Sequence, residues 1–496
     1  MAGGRPAVNS PGANCRTRVR RFFALRDAAL LALTLSLACS GGGPTLVRRP
    51  DSAPSALLIE NANVLDVATG ELVPARDVLL RGDRIAAVGR AHTLSVPAEA
   101  ARIDAGGATL LPGLIDMHGH VFTDPAPPWQ LNVPNPDAVL RSYLYSGVTT
   151  VLDPADASGD AFTRRDRIRD GDLLGPRVYA TGPPLTAPGG HPVALVKIAA
   201  PAWISWYLAS QAGFQVDSPQ AGREAVDTLA SGGADFIKVI VDRIPSDVPR
   251  LGATEIRAIV ESARARGLRV VAHIGSSEDA LLSGRAGVAA WVHGVYTERI
   301  PERDIAELAS FGIPMVATLE VFDSYARMPS GQRTPTPLER ESAPAELLAA
   351  FENIPEDNAL LDNFGEWLTM LERNRENARE NLRRLRAAGV TILAGSDTQS
   401  GVFPGPGLHR ELALLEEAGM SSAEVIRAAT LDSARFLAEA EAPDFGRVVP
   451  GARADLLLVS GDPRQDLAAL SRIREVIVGG VRLQREALQA PGGDRE

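Results

Sequence analysis

The side chains able to bind a cation or move a proton are few in this chain, and they cluster at the ends of apolar runs. His118 and His120 close the run Leu110-Leu-Pro-Gly-Leu-Ile-Asp-Met-His-Gly-His120. Alternate residues of a β-strand share a face, so this spacing projects both imidazoles the same way, with Asp116 behind them and Gly119 leaving the opposite face uncrowded. Two imidazoles so placed can grip one cation, although a His-x-His pair alone is equally a surface pair or a satisfied core pair. His273 and His293 end two further apolar runs, and Asp397 follows Ala394-Gly395-Ser396. Polar side chains closing several buried strands at one rim are costly unless they share a ligand, and the donor types predict a metal. Among the remaining histidines, His191 follows Pro188-Gly189-Gly190, where it either touches substrate or packs a loop. His409 reads as structural and His92 as a surface residue.

One lysine adds a different chemistry. The chain has only two, Lys197 and Lys238, so arginine supplies nearly all its positive charge. A lysine inside Ala234-Asp-Phe-Ile-Lys-Val-Ile-Val241 therefore asks for something a guanidinium cannot do. A buried amine loses basicity and can add carbon dioxide, and the resulting carbamate is a bidentate anion able to bridge two metals. The plainer alternative is a lysine snorkelling from a strand end; Lys197 has no strand context and no assigned role.

These residues need a scaffold that brings strand ends together. Residues 56–112 are short, alternating and β-rich, with turns at Gly70, Gly82-Asp83 and Gly89, and the same style returns in 441–490. One small β-sandwich domain built from both chain ends is expected, with everything between inserted into it. In 113–440, strands are expected to end at His120 and to span 148–152, 178–181, 236–241, 269–274, 289–293, 315–319 and 392–396. Helices between them, such as 254–266, 302–310 and 421–439, make the class α/β. Eight strand-helix units predict a (β/α)8 TIM barrel with its site at the strand ends. The connection 321–388 is unusually long, and is either a partial lid or a solvated outer helix.

The chain has 496 residues, is 45% hydrophobic, and carries 51 basic against 61 acidic residues. That balance favours a small-molecule substrate and gives nucleic-acid binding no support. At the front, Arg16, Arg18, Arg20, Arg21 and Arg26 precede an apolar run 28–38, too short to span a bilayer and right for a signal-peptide core. The run ends Leu-Ala-Cys39-Ser, which resembles a bacterial lipoprotein processing site. The expectation is a leader 1–38, lipidation at Cys39 as the only membrane attachment, a flexible tether 39–55, and a periplasmic or cell-envelope location. With Cys15 removed, no disulfide is available.

As a set, the run ending at His120, Gly147-Val-Thr-Thr-Val151, Gly175-Pro-Arg-Val178, Ile237-Lys238-Val239, His273, His293-Gly294, Gly395-Ser-Asp397 and Pro450-Gly-Ala-Arg-Ala-Asp-Leu456 resemble the amidohydrolase superfamily. The branch is that of imidazolonepropionases and metal-dependent dipeptidases, and the likeness runs from about 56 to 483. It implies two divalent ions, Zn2+ first among them, with His118, His120 and Asp397 on one, His273 and His293 on the other, and carboxylated Lys238 bridging. It implies hydrolysis of an amide-type C–N bond by a bridging hydroxide. Asp397 would accept the proton and pass it to the departing nitrogen, and His191 would support the substrate. Barrels packing as a homo-oligomer would be in keeping. The loop after Lys238 departs from the dipeptidase pattern, leaving Arg243, Arg299 and Tyr296 either to bind a substrate carboxylate or, the plainer reading of each, as loop residues. A one-metal deaminase is the rival within the superfamily, but His273 lacks a following His-x-x-Glu, since Glu278 lies too far along. A non-catalytic surface-anchored binding protein is the remoter alternative.

Overall fold

The computed structural model describes residues 55–489 apart from 131, 201, 332 and 357. The expected leader 1–38, the lipidation site Cys39 and nearly all of the tether 39–55 lie outside the described residues. No helix among the described residues is long and apolar enough to cross a membrane.

The chain opens with strands β1 (Ala56–Asp66), β2 (Glu71–Arg81), β3 (Arg84–Arg90), β4 (Ala101–Asp104) and β5 (Thr109–Pro112), and closes with β16 (Leu456–Val459), β17 (Ile473–Val478) and β18 (Val481–Arg482). They form one eight-stranded sheet in the order β18-β17-β16-β5-β1-β2-β3, with β4 on β1. The two chain ends meet where β5 pairs antiparallel with β16. Strand alternation sends Leu57, Ile59, Leu110, Leu456, Leu458 and Ile477 into one apolar cluster, while Leu58 and Leu79 belong to another.

The middle strands are all parallel. A three-stranded sheet holds β6 (Leu114–Asp116), β7 (Val148–Asp153) and β8 (Arg177–Ala180). A seven-stranded sheet holds β9 (Leu185–Thr186), β10 (Phe214–Gln215), β11 (Phe236–Ile240), β12 (Arg269–His273), β13 (Ala290–Trp291), β14 (Met315–Val316) and β15 (Ile392–Leu393). Backbone hydrogen bonds join the two sheets at both margins: Asp235 N–H donates to Ala180 O, and Met117 N–H to Ala394 O, each at 2.9 Å. The parallel strands thus curl round a core of Ile115, Leu152, Phe236, Val271, Val292, Val316 and Leu393.

Two expectations change here. The helix expected over 421–439 is two helices, Ser422–Ala428 and Leu431–Ala438. Thr430 sits between them in a non-helical conformation, its hydroxyl donating to Ile426 O and that of Ser433 to Ala428 O. The break frees Ala429 O to accept from Ile115 N–H on β6. The connection 321–388 is also more than an outer helix: Leu319–Arg327 and the long helix Ala359–Ala387 pack on one another through Val321, Phe322 and Leu371.

Candidate metal centre

Pro112-Gly113 carries the chain from β5 of one sheet into β6 of the other. Gly113 is required there, because a Cβ would lie 2.1 Å from the Thr149 hydroxyl. Strand pairing ends at Asp116, and the next four residues run over the strand ends with His118 and His120 on one side, their ring centroids 5.3 Å apart. Asp116 fixes this run by accepting from His118 N–H at 3.1 Å, Ser396 N–H at 3.0 Å and the Ser396 hydroxyl, which binds β6 to the end of β15. Burial pushes its carboxyl up to about 6 against those hydrogen bonds. The face opposite the histidines is packed, not open as expected: a Cβ at Gly119 would lie 2.4 Å from the Tyr143 hydroxyl.

The structure gathers all the candidate ligands. His118, His293 and Asp397 present donor atoms within 4.8 Å of one another. His118 Nε2 is 3.4 Å and His120 Nε2 3.0 Å from Asp397 Oδ1. His273 and His293 have ring centroids 4.0 Å apart, and His191 lies 4.9 Å from His273 on the other side. Lys238, on β11, faces the same cavity with 1% exposure, and has no hydrogen bond or ion pair among the described residues. Lys197 is exposed, His92 is exposed, and His409 is tied through Nε2 to Ser146 O at 2.8 Å, away from the cluster.

Several partners set the ring orientations. His118 Nδ1 donates to Val292 O at 2.6 Å, which turns Nε2 toward Asp397. His293 Nδ1 meets the Thr318 hydroxyl at 2.7 Å, while its Nε2 is buried with no hydrogen-bond partner. His273 Nε2 lies 3.2 Å from Asp242 Oδ2, which also accepts from the Tyr296 hydroxyl. His120 Nδ1 is 3.6 Å from Asp153 Oδ1, an oxygen that is buried without a hydrogen-bond partner. The sequence reading missed Asp153 and Asp242. Both end strands at the same rim as the histidines, so the signal that singled out His273 and Asp397 was present at these positions too. Asp397 and Thr318 hold left-handed backbones, φ 56° and 49°, where most side chains are strained. Asp397 N–H donates to His118 O at 2.6 Å and so is locked in place.

The charges are those of a cation-binding site. Burial, reinforced at His293 by His273, drives both His118 and His293 well below the ordinary imidazole value, and burial with His273 takes His191 down to about 3. At His120 burial works the same way, but Asp153 and Asp397 outweigh it and hold the ring up to about 9. Asp397 would be raised by burial, yet His118, His120 and Lys238 keep it well below the carboxylate range. Burial lowers Lys238 to about 7 against the attraction of Asp397 and Asp153. Neutral imidazoles at His118 and His293, an ionised Asp397 and one proton held on His120 make a donor set that a divalent ion fits by replacing that proton.

The cluster forms the floor of a cavity of about 400 Å³. Its walls are built by Val321, Phe322, Tyr325 and Met328, by Phe364, Trp367 and Leu368 from the long helix, and by Pro192, Leu195 and Val196. The connection 321–388 is therefore a wall of the site. Of the two readings of Arg243, Arg299 and Tyr296, the structure fits loop residues: Arg243 and Arg299 are exposed, Arg299 lies 3.8 Å from Glu380, the Tyr296 hydroxyl is engaged by Asp242, and none lines the cavity. Glu278, from the deaminase alternative, is on the surface with Arg250.

A fold of parallel strands with imidazole and carboxylate donors at their ends defines a metal-binding hydrolase. The family model for the Amidohydrolase family matches residues 109–483, and the chain belongs to that family. An uncharacterised protein of Mycobacterium bovis is 26% identical over 389 residues, 75% of this chain and 85% of its own length. An adenine deaminase of Edwardsiella ictaluri is 38% identical over 99 residues, 20% of this chain and 15% of its own. Among solved structures, an amidohydrolase is 26% identical with a TM-score of 0.67, over 86% of this chain and 98% of that one. A prolidase complexed with N-methylphosphonate-L-proline shares the fold, at 24% identity and a TM-score of 0.68, over 87% and 100% of the two chains. The chain is an enzyme, a hydrolase of that family.

Proposed function

We propose that the enzyme hydrolyses an amide-type bond with two divalent ions, Zn2+ suiting the nitrogen and oxygen donors. His118, His120 and Asp397 would hold one ion and His273 and His293 the other, with carboxylated Lys238 between them. In this reading the curled parallel sheet is a (β/α)8 barrel, the terminal strands are its small β-sandwich domain, and the leader 1–38 exports it with a lipid on Cys39. Fractionating cells that carry Cys39→Ala tests the anchor, which is dropped if the variant stays with the membrane. The observation that carries the reading is Lys238, buried, unpartnered and depressed to about 7 among imidazole and carboxylate donors. The neutral fraction of an amine so depressed is the form that takes up carbon dioxide, releasing a proton as the carbamate forms.

When bound, such ions lower the pKa of water and polarise a carbonyl. The chain supplies the rest. Asp397, ionised and fixed by its backbone, accepts a proton and returns it to the departing nitrogen. Asp153 and Asp242 fix the His120 and His273 rings. His191, neutral near pH 7, offers its ring as a hydrogen-bond partner to the bound carbonyl. Apolar walls keep bulk water away from these groups.

Elemental analysis of protein lacking residues 1–38, purified with bicarbonate beside Lys238→Ala, tests this. About two divalent ions per chain, falling in the variant, are expected. A second reading, deamination, draws on the local likeness to adenine deaminase. One ion, unaffected by Lys238→Ala, would favour it; no ion would overturn both.

A further inference from the structure

We infer that the substrate is an uncharged, apolar amide: it brings its carbonyl to the histidine cluster, fills an aromatic-walled cavity with the remainder, and carries no free carboxylate. The inference rests on the hydrolytic reading above and narrows it. Among the described residues, every charged or imidazole side chain lining the cavity belongs to the cluster itself, namely Lys238, Asp397 and the histidines. The rest of the lining is apolar, with Phe322, Phe364, Trp367, Leu368 and Val196, or polar but uncharged, with Thr123, Tyr325 and Gln399. A free carboxylate therefore has two places to go. Against the wall it would meet no cation, only uncharged donors such as the Tyr325 hydroxyl and the Gln399 amide, and a buried charge so placed costs several kcal/mol. At the cluster it would occupy the position the carbonyl needs.

The approach to the cavity has the same character. Phe122 lines the cavity and is 41% exposed. Leu195 and Ala212, at the two ends of the 193–212 helical pair, line it too, while Trp203 and Trp206 between them are 74% and 66% exposed. Phe122 thus carries apolar surface from the cavity to solvent, and a wall of this kind discriminates by refusing an unpaired charge.

A matched pair of anilides tests this on the metal-loaded enzyme: hexanoyl anilide against 4-hexanamidobenzoate, which share the scissile bond and differ by one carboxylate. The neutral compound is expected to have a kcat/KM about 100-fold higher or more. Trp367→Arg, which puts a cation in the wall, is expected to narrow the gap at least about tenfold. Turnover of the acid within about threefold of the anilide by the unmodified enzyme overturns the inference, whether or not the variant folds. If neither compound is cleaved, the hydrolytic reading is decided by the metal count above, and thermal shift with the same pair decides the substrate class. Stabilisation by the anilide alone keeps the class, and equal stabilisation by the acid overturns it.

Discussion

Asp242 illustrates how much of this site depends on residues that need not touch a metal. It is buried, and two hydrogen-bonding neighbours, His273 at 3.2 Å and the Tyr296 hydroxyl, hold its carboxyl below the ordinary range although burial alone would raise it. Through His273 Nε2 it fixes which ring nitrogen faces the cluster. Asp242→Ala frees that ring and strands a buried tyrosine hydroxyl, so metal affinity and kcat/KM should fall about 10- to 100-fold. Tyr296→Phe removes one hydrogen bond and leaves the Asp242–His273 pair intact, so its loss should be severalfold smaller. Zinc titration of chelator-stripped protein, read by activity, separates the two. Equal losses would mean that Asp242 serves packing and not the orientation of His273.

Between elements, the helix Pro406–Glu417 meets Leu319–Arg327 through a buried carboxyl: Glu411 Oε2 accepts from Glu320 N–H at 2.8 Å, and its other oxygen has no hydrogen-bond partner. Burial pushes Glu411 up to about 8, with Glu320 and Asp116 adding repulsion, and Glu320 is itself raised to about 7. The folded state therefore holds protons that the unfolded chain has released. This stability is fully present below about pH 4.5, the ordinary glutamate value, and is lost as pH rises through 7 to 8. Glu411→Gln keeps the acceptor and removes the charge. It should equal the parent near pH 4.5 and exceed it by about 2 to 4 kcal/mol near pH 9 in denaturant unfolding. A constant difference across that range would refute the argument. The long helix Ala359–Ala387 marks the limit of what the sequence could convey. Spacing placed His118 with His120, and rarity singled out Lys238, because a charged side chain in an apolar run demands an explanation. Phe364, Trp367 and Leu368 demand none, since an apolar helical face turned to a cavity is written like one turned to a core. Asp153 and Asp242 were missed because each follows the last apolar residue of its run, where a polar residue reads as the start of a loop.

Across the whole molecule, the two chain ends act on the site from a distance. β16 alternates: Leu456 and Leu458 enter the core of the terminal sheet. Leu457 turns the other way, so close to Gly147 that a Cβ there would lie 2.8 Å from its methyl groups. Gly147 holds φ 77° and leads directly into β7, which ends at Asp153. On the partner strand, Gly113 N–H donates to Asp455 O at 2.9 Å, one residue before β6 carries the chain toward His118. Arg177, on β8, adds an ion pair to Asp455 at 3.3 Å. The strands that deliver His118, His120 and Asp153 are thus anchored on residues more than 300 positions away in sequence. Leu457→Ala would leave a cavity at that joint without altering any donor. It should cost about 2 to 5 kcal/mol in unfolding while the folded fraction keeps its metal content and kcat at 25 °C. A loss of bound metal at a temperature where the variant is still folded would show instead that the joint sets the donor geometry, and that the terminal sheet belongs to the active site as well as to the fold.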